Sequence, residues 1–436
     1  MENRLKFSPI LIMVAALFLV MPVAAGAFTD GLPKAPGWSS DFDLKVPGMK
    51  FVGPKSGKNP VAENAKVLKS WGYGARPIEE IKDLLPEEFY NLLKHPEIWG
   101  NFRINEVAPF PMAGPLWEKY QAATEKNKGT VSLDERGGLV NYKVGCPFPD
   151  ADYEKEPVKL MWNFEKKFWT DDRDVSGWVR NVDRNKNIRS AIIDNIILFL
   201  DNRLVVDPKP VYNPNPKGIQ YIHVLVFPYP YQVAGTISLT NRYMDPDKAD
   251  DMWMYIPAMR RVRRMSTAQR QDRLPFGMAF IYDTNEGFQG KESKWHWKYL
   301  GQEEMLVPMK TQWTAQYDLD GYFSGVDLNY QRKKMHIIEG RPETAVTLSK
   351  IKLYLDPETF FTPYGINYDI KGRAWFFQFY GWALDKNWYM NEVNMFSVDI
   401  QRQYVTDCDC MNYLTNEGKT LQDYTMEALK GKFLQR

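Results

Sequence analysis

The 436 residues carry 56 Lys and Arg against 54 Asp and Glu, a formal net charge of +2, and 14% of them are aromatic. A balance this near neutral excludes polyanion binding as the main task, while abundant rings suit an apolar site. The chain is long enough for a large core and exceeds the roughly 100–200 residues of a common domain, although β-rich domains run longer.

The first 27 residues have the anatomy of a secretory signal: Arg4 and Lys6, an unbroken apolar run from Ile10 to Met21, then Ala25-Gly26-Ala27. The run is about a dozen residues, short of the roughly 20 that cross a bilayer. Cleavage after Ala27 is expected, with the mature chain starting near Phe28 outside the cytoplasm. No Cys follows the small residues, so no lipid anchor is expected. Export of this kind removes ATP, nucleotide cofactors and nucleic acid from the chain's surroundings.

Residues 28 to about 60 are rich in Gly, Pro and Lys and read as an extended arm. Residues 77–95 carry apolar side chains at helical spacing (Ile78, Ile81, Leu84, Leu85, then Phe89, Leu92, Leu93), with Pro86 dividing them into two short helices. Another helix is predicted around Leu116 to Thr124, and nothing in this third looks catalytic. From about residue 155 the pattern turns to strands. Ile192 to Leu200 is the longest apolar run of the mature chain, but Asp194 and Asn195 interrupt it, so it does not read as a membrane span. Ile219 to Phe227, Thr236 to Tyr243, Glu343 to Leu355, Ala374 to Tyr380 and Phe396 to Tyr404 are β-rich or alternate with period two. Turn residues separate them, as at Asp356-Pro357 and Lys371-Gly372. Many short strands with no βαβ alternation predict an antiparallel sheet that curls. Asn416 to Leu434 could close the chain as a helix. The domain division expected is a signal peptide (1–27), an N-terminal arm with short helices (28–130), a curved β-sheet domain (131–415) and a terminal helix or tail (416–436).

The three cysteines leave two readings open: a bridge from Cys146 to Cys408 or Cys410, or three unpaired thiols. His95, His223, His296 and His336 are scattered without ligand spacing, so neither a metal nor another cofactor is expected. His296, between Trp295 and Trp297, reads as structural. The adjacent pairs Asp171-Asp172 and Glu303-Glu304 read as solvated, since neighbours on a strand point to opposite faces. There is no nucleophile elbow, phosphate loop or zinc motif, so the chain does not read as an enzyme.

The most distinctive stretch of the mature chain is Asp251 to Met265, DMWMYIPAMRRVRRM. It reads as a hairpin turning at Pro257-Ala258. A two-residue turn sets Ile256 against Met259, Tyr255 against Arg260, Met254 against Arg261, Trp253 against Val262, Met252 against Arg263 and Asp251 against Arg264. Apolar bodies and guanidinium heads share both faces. That suits contact with something amphipathic, and equally an ordinary edge hairpin whose arginines stack and snorkel.

This segment, followed by Asp272, Gly277 and Tyr282-Asp283, resembles a family of exported Gram-negative proteins catalogued as a domain of unknown function and grouped with the LolA/LolB lipoprotein-sorting proteins. Gly145-Cys146-Pro147-Phe148-Pro149, Met161-Trp162-Asn163 and Ala234-Gly235-Thr236 match as well. The resemblance covers roughly residues 60 to 400. It implies a mainly β fold, a large curved antiparallel sheet forming a half-open barrel with plugging helices. It also implies a periplasmic relay alongside a resistance-nodulation-division-type transporter and an outer-membrane protein, and it brings no catalytic residues.

The expectation from residues and resemblance together is a soluble periplasmic carrier or chaperone of lipid-like or other hydrophobic cargo. Rings at alternating strand positions (Tyr221, Trp253, Tyr255, Trp295, Trp297, Tyr354, Trp375, Phe377) are candidate cavity lining. Arg260, Arg261, Arg263 and Arg264 are candidates to hold a head group. The alternatives are a non-enzymatic adaptor docking an envelope transport complex and a hydrolase of envelope lipids or glycans. A carrier needs a continuous apolar cavity, an adaptor a filled barrel with its apolar patch outside.

Overall fold

The alternating segments form thirteen strands of one antiparallel sheet in a computed structural model, which describes residues 53–313 and 327–433. The signal segment and most of the arm lie outside the described residues. Strands β1 (Asp172–Val182), β2 (Ile188–Phe199), β3 (Ile219–Tyr229), β4 (Thr236–Tyr243), β5 (Asp251–Ile256) and β6 (Arg261–Arg264) make a first meander. Strands β7 (Trp295–Val307), β8 (Asp327–Pro342), β9 (Leu348–Leu355), β10 (Tyr364–Asp369), β11 (Ala374–Leu384), β12 (Met390–Asp399) and β13 (Tyr404–Thr415) make a second. The two join where β13 pairs antiparallel with β1, from Val405 opposite Val182 to Thr415 opposite Arg173. Among the described residues β6 pairs only with β5, and it does not pair with β7. The fold is therefore mainly β, a half-open barrel with two separate edges.

That order fixes the path of Met265–Lys294. These residues leave one edge strand and enter the other, so they must cross the sheet. They do so on its inner face as a strap of short 3-10 turns at Thr267–Gln271, Pro275–Gly277, Tyr282–Thr284 and Glu292–Lys294. Ala279 N donates to Thr406 Oγ1 at 2.7 Å, Asn367 Nδ2 to Thr284 Oγ1 at 3.0 Å, and Gln378 Nε2 to Thr284 O at 3.1 Å. Met278, Ala279, Phe280, Ile281 and Tyr282 are buried in the main core.

Alternation sends the neighbours of Gln378 to the opposite face. There Phe377, Phe379 and Phe396 surround Phe89, at 5.4, 5.6 and 6.5 Å between ring centroids. Phe89 belongs to helix α1 (Glu87–Leu93), which follows a 3-10 turn at Ile78–Leu84 and has Pro86 at its N-cap. The two short pieces expected from residues 77–95 thus lie on the outer face. Helix α2 (Pro115–Asn127) contains the predicted Leu116–Thr124, and α3 (Pro157–Glu165) packs against β7 and the last turn of the strap. The terminal helix α4 (Met426–Phe433) lays Met426 and Leu429 over a second core on the outer face of β2 to β5, with Leu198, Val224, Ile237 and Tyr255. Arg103–Val107 extends the sheet by pairing parallel with the start of β8.

Three expectations need correction, and one open reading is decided. The hairpin connection is four residues, Pro257–Arg260, with Arg260 in the left-handed region at φ 49°. Ile256 therefore opposes Arg261, Tyr255 opposes Val262, Met254 opposes Arg263 and Trp253 opposes Arg264. The offset is two residues, an even number, so each side chain keeps its expected face. Second, Phe396 to Tyr404 is no single strand: a turn after Asp399, with Gln403 at φ 50°, divides β12 from β13. Of the two cysteine readings left open, the unpaired one holds for Cys146, a buried thiol pushed up by burial to about 12. Its amide donates to Thr124 Oγ1 at 2.9 Å, while Cys408 lies on the inner face of β13. Third, Asp171 and Asp172 are buried and pin loops. Asp171 accepts from the amides of Leu204, Val205 and Val206, and Asp172 from those of Glu417, Gly418 and Lys419. Backbone donors replace the water that exposure would have supplied.

Candidate functional site

The inner-facing residues of β1 are Arg173, Val175, Gly177 and Val179, and they floor a cleft beneath the strap. Ile193 and Asn195 of β2, Leu225 of β3, Met395 of β12 and Cys408 of β13 form its walls, and Leu274, Met278 and Phe280 of the strap roof it. Gly177 keeps the floor low, since a Cβ there would lie 2.9 Å from Cys408 Sγ. The cavity is about 40 Å³, room for roughly two or three waters and too little for an acyl chain. Apolar side chains of the strap lie over the cleft floor and close it from that side.

One end of the cleft is polar. Arg173 pairs with Glu286 of the strap and lies over the Trp169 ring, 4.3 Å from its centroid. Burial opposes ionisation of Glu286, but the Arg173 charge beside it, helped by Lys167, holds its carboxyl below the usual value. Asn195 donates to Glu286 Oε1 at 3.3 Å, and its carbonyl lies 2.9 Å from His223 Nε2. His223 Nδ1 lies 3.0 Å from the Tyr282 hydroxyl. Burial pushes His223 down to about 4, so it is neutral and bridges wall to strap by hydrogen bonds. Glu392 adds a second carboxylate. The Arg173 guanidinium is already paired with Glu286, which makes this end a poor host for a phosphate.

A second set of charges ties the strap to the far wall. Arg242 of β4 holds both oxygens of Asp250 through Nε, at 2.9 and 3.0 Å, and donates to Gly290 O at 2.8 Å. Arg270 of the strap donates to the same Asp250 at 2.7 Å and to Asp283 at 2.6 Å. Beyond it, burial and then Glu165 push the Glu292 carboxyl up to about 8. Lys167, buried against Phe164 and Trp169, is pushed down to about 8. Among the described residues no group of three His, Cys, Asp or Glu is placed to hold a metal, and no helix is long and apolar enough to cross a membrane.

The residues singled out from sequence do not converge on this cleft. Tyr221 faces inward, its ring 5.4 Å from the Arg242 guanidinium. Trp295 and Trp297 stack on each other at 5.7 Å and meet Phe288 edge-on at 5.1 and 5.0 Å, where the strap enters β7. Trp375 stacks on Phe376 at 4.3 Å on the second meander. Trp253 and Tyr255 lie on the outer face in the core under α4, with Lys430 over the Tyr255 ring at 4.9 Å. Arg260, Arg261, Arg263 and Arg264 stand on the edge hairpin, and His296 is exposed on β7. Sequence reasoning missed Arg173, Asn195, Glu286 and the Arg242–Asp250–Arg270–Asp283 set. The one available signal was a charged residue, Arg173, in phase with Val175 and Val179.

The motif residues that carried the resemblance hold the scaffold together. Asn163 clamps the Pro147-Phe148-Pro149 loop, accepting from Phe148 N and donating to Phe148 O, both at 2.9 Å. Gly145 stands at φ 92°, where a Cβ would lie 2.7 Å from Thr124 N. The family described as "Protein of unknown function (DUF1329)" matches residues 75–431. The chain belongs to that family. Among solved structures, a DUF1329 protein from Desulfovibrio piger is 16% identical, covering 64% of this chain and 100% of its own, with a TM-score of 0.48. A domain from Vibrio parahaemolyticus ascribed to outer-membrane lipoprotein sorting is also 16% identical, covering 64% and 99%, with a TM-score of 0.48. A LolA superfamily protein from Nitrosomonas europaea is 13% identical, covering 63% and 98%, with a TM-score of 0.41. No curated protein matches this DUF1329 chain.

Proposed function

We propose that this DUF1329 protein is a non-enzymatic periplasmic carrier of a lipid-like or other hydrophobic molecule, exported by a cleaved signal and loaded beneath the strap. The observation that supports this reading is the apolar cleft between the curved sheet and the strap, whose roof of Leu274, Met278 and Phe280 takes the place of cargo. Loading lifts the roof and exchanges its apolar contacts for those of the ligand, at about 25 cal/mol per Å² on either side of the exchange. Such a swap holds net affinity low enough for release. The finer form of the reading is a relay between an inner-membrane transporter of the resistance-nodulation-division type and an outer-membrane protein.

The filled inner face favours one rival, an adaptor that docks a transport complex and holds no ligand. Native mass spectrometry of protein taken from its own periplasm, followed by organic extraction, separates the two. A co-purifying apolar molecule near one per chain, lost in Ile193→Trp, supports the carrier. An empty chain that also fails to bind fluorescent lipid probes sinks it and leaves the adaptor.

A further inference from the structure

The edge hairpin lies away from the cleft and has its own pattern. Its turn is apolar: Ile256, Pro257 and Met259 are half-buried and Ala258 is exposed. Behind the turn stand four arginines in five residues, with Val262 exposed between them at 43%. Among the described residues only Arg264 has an acidic partner, Asp251. Asp250, the nearest other carboxylate in sequence, is spent on Arg242 and Arg270. Arg260, Arg261 and Arg263 make no ion pair among the described residues, and β6 has no strand on its outer side.

We propose that this hairpin docks the protein on an anionic lipid bilayer. The apolar turn enters the interface, and the guanidiniums stop at the level of the phosphates while their stems lie along the apolar boundary. A two-stranded ribbon carries its charges on both faces, so it can present Arg260, Arg261 and Arg263 together when it stands tip-first on a surface. Nucleic acid fits less well, because an apolar tip would lead the cations into the phosphate backbone. A folded protein partner fits less well because the free strand is only four residues long. The proposal stands apart from the cargo reading: an adaptor could dock in the same way, and a carrier could bind cargo with the hairpin disabled.

The test is co-sedimentation of the full chain with vesicles containing phosphatidylglycerol and with vesicles of phosphatidylcholine alone. Each basic residue near such a surface is worth about fivefold in binding. The wild type should pellet with the anionic vesicles only, less so as salt rises, and Arg261→Gln/Arg263→Gln should bind about 25-fold more weakly with an unchanged thermal midpoint. Failure to pellet, equal binding to phosphatidylcholine, full binding by the double variant, or retention of a DNA duplex in place of vesicles overturns the proposal. If the double variant loses thermal stability, the wild-type salt series decides, and salt-insensitive binding overturns it.

Discussion

Replacing Glu286 by Gln is the sharpest perturbation of the strap. It removes the charge opposite Arg173, whose Nε already lacks a hydrogen-bond partner. Breaking a buried ion pair costs about 3–5 kcal/mol, and the Gln carbonyl can still accept from Arg173, so about 3 kcal/mol is expected. The loss is felt first where the strap leaves the sheet, and about 3 kcal/mol raises an open population by roughly 150-fold. The variant should therefore melt lower and bind a hydrophobic dye more strongly than wild type at pH 7. Acid supplies the control. The folded carboxyl is held below its ordinary value of 4.5, so its contribution is complete above that pH and lost as pH falls through the lower folded value. Wild type and variant should converge in stability in strong acid. A difference under about 1 kcal/mol at neutral pH, or one that persists undiminished in acid, would refute the ion-pair account.

The opposite sign is expected at Glu292. Its folded carboxyl is raised to about 8 and its Oε1 has no hydrogen-bond partner among the described residues, so the folded chain keeps a proton that the unfolded chain releases between 4.5 and 8. Wild-type stability should fall as pH rises through that window, and Glu292→Gln should flatten the slope and be the more stable form at its upper end; parallel melting curves against pH would count against this. Phe89→Ala removes a fully buried ring from a cluster of aromatics on the outer face. It should cost about 3–5 kcal/mol in urea unfolding, and less than about 1 kcal/mol would mean that α1 is not packed there. The Cys146 thiol, pushed up to about 12 by burial, should resist iodoacetamide at pH 8 until the chain is unfolded, as read by peptide mass mapping. Rapid labelling of the native protein at Cys146 contradicts its placement.

The strands were legible from their β-rich composition and from the alternation in Thr236–Tyr243 and in KIKLYL, although much of the sheet is buried on both faces. The two helical pieces around Pro86 and the helix at Leu116–Thr124 were legible from spacing. The hairpin was found but misjudged by two residues, because nothing in Ala258-Met259-Arg260 shows that Arg260 adopts the left-handed region. The strap was not legible at all. Its conformation has no period of its own and is imposed by the two edges it must connect. The polar end of the cleft failed for a related reason: Arg173 and Glu286 are 113 residues apart, and spacing arguments see only neighbours. Trp253 and Tyr255 looked like cavity lining because alternation tells which residues share a face but not which face turns inward. That needed α4, which covers theirs.

The seam between β1 and β13 has a consequence for how the chain is made. The strand that begins the first meander waits for the strand that ends the second, and Arg173 meets Thr415 only after nearly all of the chain has been synthesised. Until then β1 is a long, flat edge with open hydrogen-bonding groups, the kind of template on which chains aggregate. Contacts of such range also form slowly. Neither half can be expected to fold alone, so cutting the gene between the meanders should yield two insoluble pieces. A holding chaperone that masks this edge until the final strand arrives should raise the yield of folded chain.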